Sequence, residues 1–320
     1  MAKVSPTYGK GVDGDDYVPS TMTELGDMIG KVAYSVIFDN TAKDKLAVFD
    51  KAKIDNGDTI EQAVVKMAES LAYDSTGAHA LDRETSVKFA VSYFKNWGRK
   101  KFKKTIDVAE MRKVLMQEHD VSDIAAKIVG SMTEADIQEK YEDLRDLLPW
   151  GKQSADGGTG AVLVKADTVA YDEVNSTIDY KGILVSLKDT IKGMQYVNAT
   201  YNTASLKRRT RPEDIVIVMP YKLRNRLDVG ELASLFNLDK AEINNRIIEV
   251  DTDVDASGYY DIFVVDKHAV LSFTRLYEMV NQLNADGLFW NYFLHVERLY
   301  ALSALFDGCY IRVASQSAGD

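Results

Sequence analysis

The last hundred residues constrain the fold most. From Arg211 to Val313 the chain reads as a strand, a helix, two short strands and a long aromatic ribbon. Ile215–Met219 is predicted as a strand, with a helix starting at Pro220 or Tyr221. Ile247–Val250 and Ile262–Val265 read as short buried strands. The stretch from Leu271 to Val313 alternates large side chains, which predicts long strands folded on a turn at Asp286–Gly287. This block contains no catalytic cluster.

Upstream the pattern changes. Residues 1–19 are rich in Gly and Asp and read as an extended arm. Residues 20–38 are predicted helical, capped by Ser20 or Thr21, with Leu25, Met28, Ile29, Val32 and Val36 on one face. Residues 40–118 mix polar turns such as Asn56–Gly57 with strand-like alternation at Val87, Phe89, Val91 and Tyr93. Their apolar density is too low for a core of their own, so they are expected to form an excursion that lies on another surface.

Residues 121–148 carry two helical stripes, Val121–Met132 and Ile137–Leu148, separated by a five-residue step. Either a helix of about 42 Å kinks near Thr133 or a second helix begins there. Pro149 and Gly151 are expected to end it. A glycine-rich loop then feeds a strand at 161–165. Residues 180–202 are predicted as an amphipathic helix built on Ile183, Leu184, Leu187, Ile191, Met194, Val197 and Tyr201.

Composition excludes several classes. Hydrophobic content of 46% with 28% charged residues is that of a globular chain, not a disordered one. The longest apolar runs fall far short of the ~20 residues that span a membrane, and the N-terminus lacks the apolar core of a signal peptide. The single cysteine, Cys309, can form no internal disulfide and reads as a packed thiol in a reducing compartment. A net charge of −10 argues against holding nucleic acid by bulk electrostatics.

Short motifs give no chemistry. Gly9, Gly11 and Gly14 fit a dinucleotide fingerprint by string but lack the preceding strand and following helix. Gly157, Gly158 and Gly160 feed a strand, where a phosphate loop needs a helix N-terminus. Asp251, Asp253 and Asp255 lack the glycine position and distal glutamate of a calcium loop and read as an acidic hairpin between two strands. His79, His119, His268 and His295 are scattered, so no zinc site is expected. No catalytic, cofactor-binding or metal-binding residue is therefore assigned.

The run Arg99, Lys100, Lys101, Phe102, Lys103, Lys104 is the strongest local charge signal. It fits phosphate neutralisation, a solvated turn, or a basic tip docking on acidic residues of a neighbouring copy. Asp136, Glu139, Glu142, Asp143 and Asp146 lie mostly off the apolar stripe of the long helix and offer such a surface.

Several phrases give the chain a family resemblance. They are Leu227-Asp-Val with Leu232-Ala and Phe236-Asn, Val265-Asp-Lys, and Gly287-Leu-Phe-Trp-Asn-Tyr with His295-Val. A weaker echo runs from Thr59-Ile-Glu through Tyr73-Asp to Thr105-Ile. In their order and number these resemble the major capsid proteins of small phi29-like podoviruses. The resemblance implies an α+β chain with the Hong Kong 97-type (HK97-like) capsid fold. Its implied parts are an N-arm (1–39), an extended E-loop region (40–118), a peripheral domain with a spine helix and long strands (119–209 and 271–320), and an axial domain (210–270). The immunoglobulin-like domain of the best-known relatives is expected to be absent.

The implied function is self-assembly into hexamers and pentamers of an icosahedral or prolate phage head that encloses DNA without sequence specificity. Implied partners are a scaffolding protein, a portal, and head fibre or decoration proteins. The implied location is the virion, assembled in the host cytoplasm, with no membrane partner. Other readings stay open from the residues alone. One is an encapsulin-like compartment. A second is a cytoplasmic α/β enzyme with a carboxylate-based site. A third is a DNA-binding protein using Arg99–Lys104.

Overall fold

The computed structural model describes residues 44–55, 57–68, 89–107, 118–152, 161–172, 177–225, 227, 246–287 and 289–315, with the side chains of the long helix described from Gly130 onward. The expected helix at 20–38, both glycine motifs, His79 and residues 228–245 lie outside these residues. The chain forms two compact units. One comprises Met1–Thr41, Phe102–Glu134 and Met279–Leu294. The other comprises Ala42–Lys101, Ala135–Glu278 and His295–Asp320.

The core of the larger unit is a five-stranded mixed sheet. Its strands are β4 (Val164–Val169), β7 (Ile215–Pro220), β8 (Ile247–Val250), β9 (Tyr259–Asp266) and β12 (Gly308–Ala314), in the order β4-β12-β9-β7-β8. The run Ile-Val-Ile-Val-Met-Pro of β7 is buried at every position. Such a strand must be covered on both faces. Helix α2 (Tyr180–Gln195) covers one, setting Ile183, Leu187, Ile191 and Met194 against Ile217, Ile262, Val264 and Ile311. The C-terminal half of helix α1 (Glu118–Trp150) covers the other, setting Tyr141, Leu144 and Leu148 against Val216, Val218, Phe263 and Val265.

Several expectations shift. Helix α1 is one continuous element, so no second helix begins at Thr133. Pro149 sits inside its last turn, and the chain leaves at Gly151, whose N–H still donates to Leu147. Helix α2 ends at Gln195, seven residues before the predicted end at Asn202, because Asn198 donates its side-chain amide to the Gly193 and Tyr196 carbonyls. A local side-chain partner here replaces the next helical turn. The strand expected at 161–165 is β4, displaced to Val164–Val169.

The acidic segment 251–258 joins β8 and β9, yet these strands are not paired, since β7 lies between them. It is a connection and not a hairpin. The end of the aromatic ribbon, β12, belongs to the five-stranded sheet. That sheet therefore crosses the boundaries expected at 210 and 270.

A second sheet has the order β10-β11-β3, from β10 (Val270–Asn284), β11 (Phe289–Leu302) and β3 (Gly98–Asp107). Strands β10 and β11 fold on a turn at 285–287, as predicted. The basic run lies on β3 and is therefore a strand, not a solvated turn.

The segment 40–118 is not a single excursion. Leu46 and Phe49 are fully buried in the core with α1, and Lys51 and Ile54 donate backbone hydrogen bonds to Ser272 and Thr274 along the edge of β10. Past that point both faces of β10 are exposed from Tyr277 to Leu283. Between residues 44–55 and β3 the chain forms an antiparallel pair, β1 (Ile60–Val65) with β2 (Phe89–Phe94).

Leu187 is fully buried between α2 and the sheet. Leu187→Ala is expected to destabilise the subunit by about 2–5 kcal/mol, read as a lowered urea midpoint with unchanged slope.

Candidate subunit-contact surfaces

The basic run and the acidic helix were each expected to be available to a neighbouring copy. The structure places part of this pairing inside one chain. The Lys100 ammonium lies 2.6 Å from Glu139 and 2.8 Å from Asp143. Partial burial pulls its pKa down, but the Asp143 and Glu139 carboxylates outweigh that and hold it above the ordinary lysine value. Arg99 reaches Glu297 at 3.3 Å. Lys103 stands over the Phe293 ring at 5.6 Å from its centroid. Lys101 and Lys104 are exposed on the same strand.

The acidic residues divide likewise. Asp136 does not lie off the apolar stripe: it is 3% exposed and accepts two hydrogen bonds from Arg298, at 2.5 and 2.6 Å. It shares the inner face of α1 with Lys140, which is bound by Asp44 and Asp50. Glu142 accepts from Gln138 on the same helix, and Asp146 accepts from Arg145. Glu142 and Asp146 therefore make only contacts with neighbours on their own helix among the described residues. Burial of an aspartate and a lysine on a helix stripe is invisible without their partners, which lie 162, 96 and 90 residues away in sequence.

Lys100, Glu139, Asp143, Arg298 and Tyr300 line a cavity of about 260 Å³. Burial drives the Tyr300 hydroxyl well above the ordinary tyrosine range, and it stays neutral. Elsewhere Glu297 is held by Arg275 at its two oxygens and by Arg99. The Arg275 guanidinium also meets Asp58 and stacks over Trp97 at 4.9 Å.

The connection 251–258 is equally occupied. Asp251 accepts from the Tyr141 hydroxyl and from Arg145, Asp253 meets Lys222, and Asp255 meets Arg312. Burial and then the Asp251 contact push the Tyr141 hydroxyl up to about 12. Among the described residues no group of three His, Cys, Asp or Glu side chains is placed to hold a metal ion, and no helix is long and apolar enough to cross a membrane.

The apolar contact surface was only half legible. In the β1–β2 pair the register sets Phe89 opposite Val65 and Val91 opposite Ala63. Phe89, Val65 and Tyr93 are 61%, 59% and 65% exposed, while the alternate residues Ile60, Gln62, Val64, Ala90, Ser92 and Phe94 are half-buried. In β2 the alternation of Phe89, Val91 and Tyr93 with Ala90 and Ser92 is present, and the side carrying the three large residues is the more exposed one, Val87 lying outside the described residues.

These features belong to a known architecture. The fold is that of tailed-phage capsid proteins. The chain superposes on a capsid protein of Staphylococcus phage Andhra with a TM-score of 0.73 at 13% identity, covering 98% of this chain and 91% of that one. It superposes on a chain of the mature capsid of bacteriophage PhiM1 at 0.56 and 11%, covering 100% and 98%. At the sequence level, the chain belongs to the Phi29-like phage major capsid protein family, whose model matches residues 7–312. It is 25% identical over 279 residues to the major capsid protein of Bacillus phage GA-1 and 22% over 290 residues to that of Streptococcus phage Cp-1. It covers 57% and 78% of those two relatives, with 86% of this chain aligned in each case.

Removing one partner of the Asp136–Arg298 pair leaves a buried charge unpaired. Asp136→Ala and Arg298→Ala are each expected to cost about 3–5 kcal/mol, and Asp136→Leu/Arg298→Met much less than either, in urea unfolding.

Arg275 first, and Arg99 after it, hold Glu297 below its ordinary value of 4.5. That carboxylate adds stability above its unfolded pKa and loses it as pH falls through the lower folded value. Glu297→Gln is expected to flatten the decline in melting temperature on the acid side of pH 4.5.

Proposed function

We propose that the protein is the structural subunit of a tailed-phage head, assembling with copies of itself around DNA and carrying no catalytic role. The observation that bears most weight is the agreement of sequence and fold: one capsid family matches residues 7–312, and the capsid fold covers nearly the whole chain. Two surfaces support the reading. The Phe89–Val91–Tyr93 face of the β1–β2 pair is exposed and apolar, and the stretch of β10 from Tyr277 to Leu283 is exposed at the edge of its sheet among the described residues. Such surfaces are stable only when covered.

In this reading residues 1–39 serve as the N-arm, the β1–β2 pair as the projecting E-loop, α1 with β10 and β11 as the peripheral domain, and residues 210–270, with β4 and β12 completing their sheet, as the axial domain. Many modest contacts, closed by symmetry, then become collectively strong. The chain spans about 57% of the length of the Bacillus phage GA-1 relative, so its partners are proposed from fold and contacts alone. They are other copies of this chain in hexamers and pentamers, a scaffolding protein, a portal and head fibre or decoration proteins.

The subunit expressed in bacteria, alone or with its phage's scaffolding protein, is expected to yield closed shells or hexamer tubes in negative-stain electron microscopy. Persistent monomers under both conditions would contradict the assignment. Lys101, Lys103 and Lys104 are exposed on β3, and the docking role is assigned to them on that exposure. Changing those three to Gln is expected to lower particle yield while leaving the subunit's melting temperature unchanged. Lys100→Gln, by contrast, is expected to act on stability, by up to about 1 kcal/mol. Wild-type yield from the triple variant would remove β3 from the contact.

A further inference from the structure

A second basic surface lies outside the run on β3. Between Tyr180 and Arg211 the chain carries seven cations against one acid, Asp189, a local charge of +6 in a chain whose total is −10. Two of the seven are engaged by carboxylates. Arg208 lies between Asp266 and Asp307, and Arg211 lies 3.6 Å from Glu213.

The other five are Lys181, Lys188, Lys192, Lys207 and Arg209, all exposed. None meets a carboxylate at ion-pair distance among the described residues. Lys181, Lys188 and Lys192 are spaced by seven and four residues, so they line one side of α2, opposite the side buried on the sheet. Lys207 and Arg209 lie at its C-terminal end. There Thr210 donates its backbone N–H to Met194, and Asn198 and Arg208 exchange backbone hydrogen bonds. Helix C-terminal carbonyls favour cations at that end. Val185 and Tyr196 add apolar area to the same surface, at 57% and 72% exposed.

We infer that this face of α2, with Lys207 and Arg209, binds the phosphate backbone of double-stranded DNA without sequence preference. The three helix lysines span about 16 Å at 1.5 Å per residue. Over that length a duplex presents on the order of ten phosphate charges. An acidic protein partner fits less well, because four of the five cations are lysine, the residue depleted from protein–protein interfaces, where arginine is enriched. Charge segregation reconciles the site with an acidic chain. At physiological salt fields are screened within about 8 Å, so a duplex docked on α2 responds to these five exposed cations beside Asp189 and not to the chain's total. The inference deepens the reading of the chain as a head subunit and takes from it only the source of the DNA.

The test uses the full chain and a 30-base-pair duplex of arbitrary sequence, followed by fluorescence anisotropy across about 20–200 mM salt. Wild type is expected to bind with a log–log salt slope of roughly −4, the same for a second sequence of equal length. K181Q/K188Q/K192Q/K207Q/R209Q is expected to weaken binding at the lowest salt at least about tenfold and to bring the slope near zero. Neutralising Lys45, Lys66, Lys95 and Lys165 instead, all exposed and on other elements, is expected to leave the affinity within about twofold.

Should the five-fold variant lose its fold by circular dichroism, K188Q/K192Q gives the same reading, with an expected slope change of about 2. Three results would overturn the site: no binding by wild type at the lowest salt, equal weakening by both sets of substitutions, or tighter binding of a poly-aspartate peptide than of the duplex. Particle yield of the same variants, scored by electron microscopy, reads the shell assignment separately. Normal shells with unaltered DNA affinity overturn this inference and leave the assignment standing.

Discussion

Arg208 holds the centre of the larger unit. Its guanidinium lies between Asp266, where β9 ends, and Asp307, just before β12 begins, and both carboxylates are 2% exposed. These are adjacent central strands of the five-stranded sheet. Two carboxylates at their shared end would repel each other strongly in a low-dielectric interior without a cation between them. The surrounding groups finish the arrangement. Thr210 donates to Asp307 at 2.7 Å, Asn202 donates to it at 3.0 Å, and Phe306 lies under the guanidinium at 4.1 Å. The loop after α2 is thus tied to the sheet's end, and α2 is seated on its face.

The two helices play different parts around that sheet. Helix α2 buries an uncharged stripe, apolar but for the small hydroxyls of Ser186 and Thr190, and leaves its other side to solvent. Helix α1 buries a mixed stripe in which Asp136 and Lys140 sit among leucines and find Arg298, Asp44 and Asp50. Apolar packing is non-directional, whereas a bidentate carboxylate–guanidinium pair fixes angle and register. The helix that leaves the larger unit is therefore the one positioned by ion pairs, and its register against β11 is set by Asp136 and Arg298.

The legibility of the sequence followed the range of the interactions. Ile215–Pro220, Ile262–Val265 and the β10–β11 ribbon were readable because each carries its own apolar pattern. The turn at Asp286–Gly287 was readable from local chemistry. The end of α2 was misjudged because the apolar spacing continues through Val197 and Tyr201, while Asn198, a single local hydrogen-bonding residue, stops the helix. Asp136 and Lys100 were misjudged for the opposite reason: both look like free surface charges until residues far along the chain are brought to them. The family phrases carried the fold further than periodicity could, because strand order in a mixed sheet leaves no trace in the spacing of residues. Nothing in that spacing shows that β12 inserts between β4 and β9.

The chain's single cysteine also has a practical meaning. Cys309 is fully buried in β12, its sulfur sits 3.4 Å from the Val264 carbonyl, and burial raises its pKa far from the thiolate range. Thiol reagents act on the thiolate of an accessible sulfur. The wild-type subunit is thus expected to be silent toward maleimides under native conditions, leaving one cysteine introduced at an exposed position as the addressable thiol. Fluorophores, spin labels or heavy atoms can be placed one per subunit on the native background, without first removing a core residue.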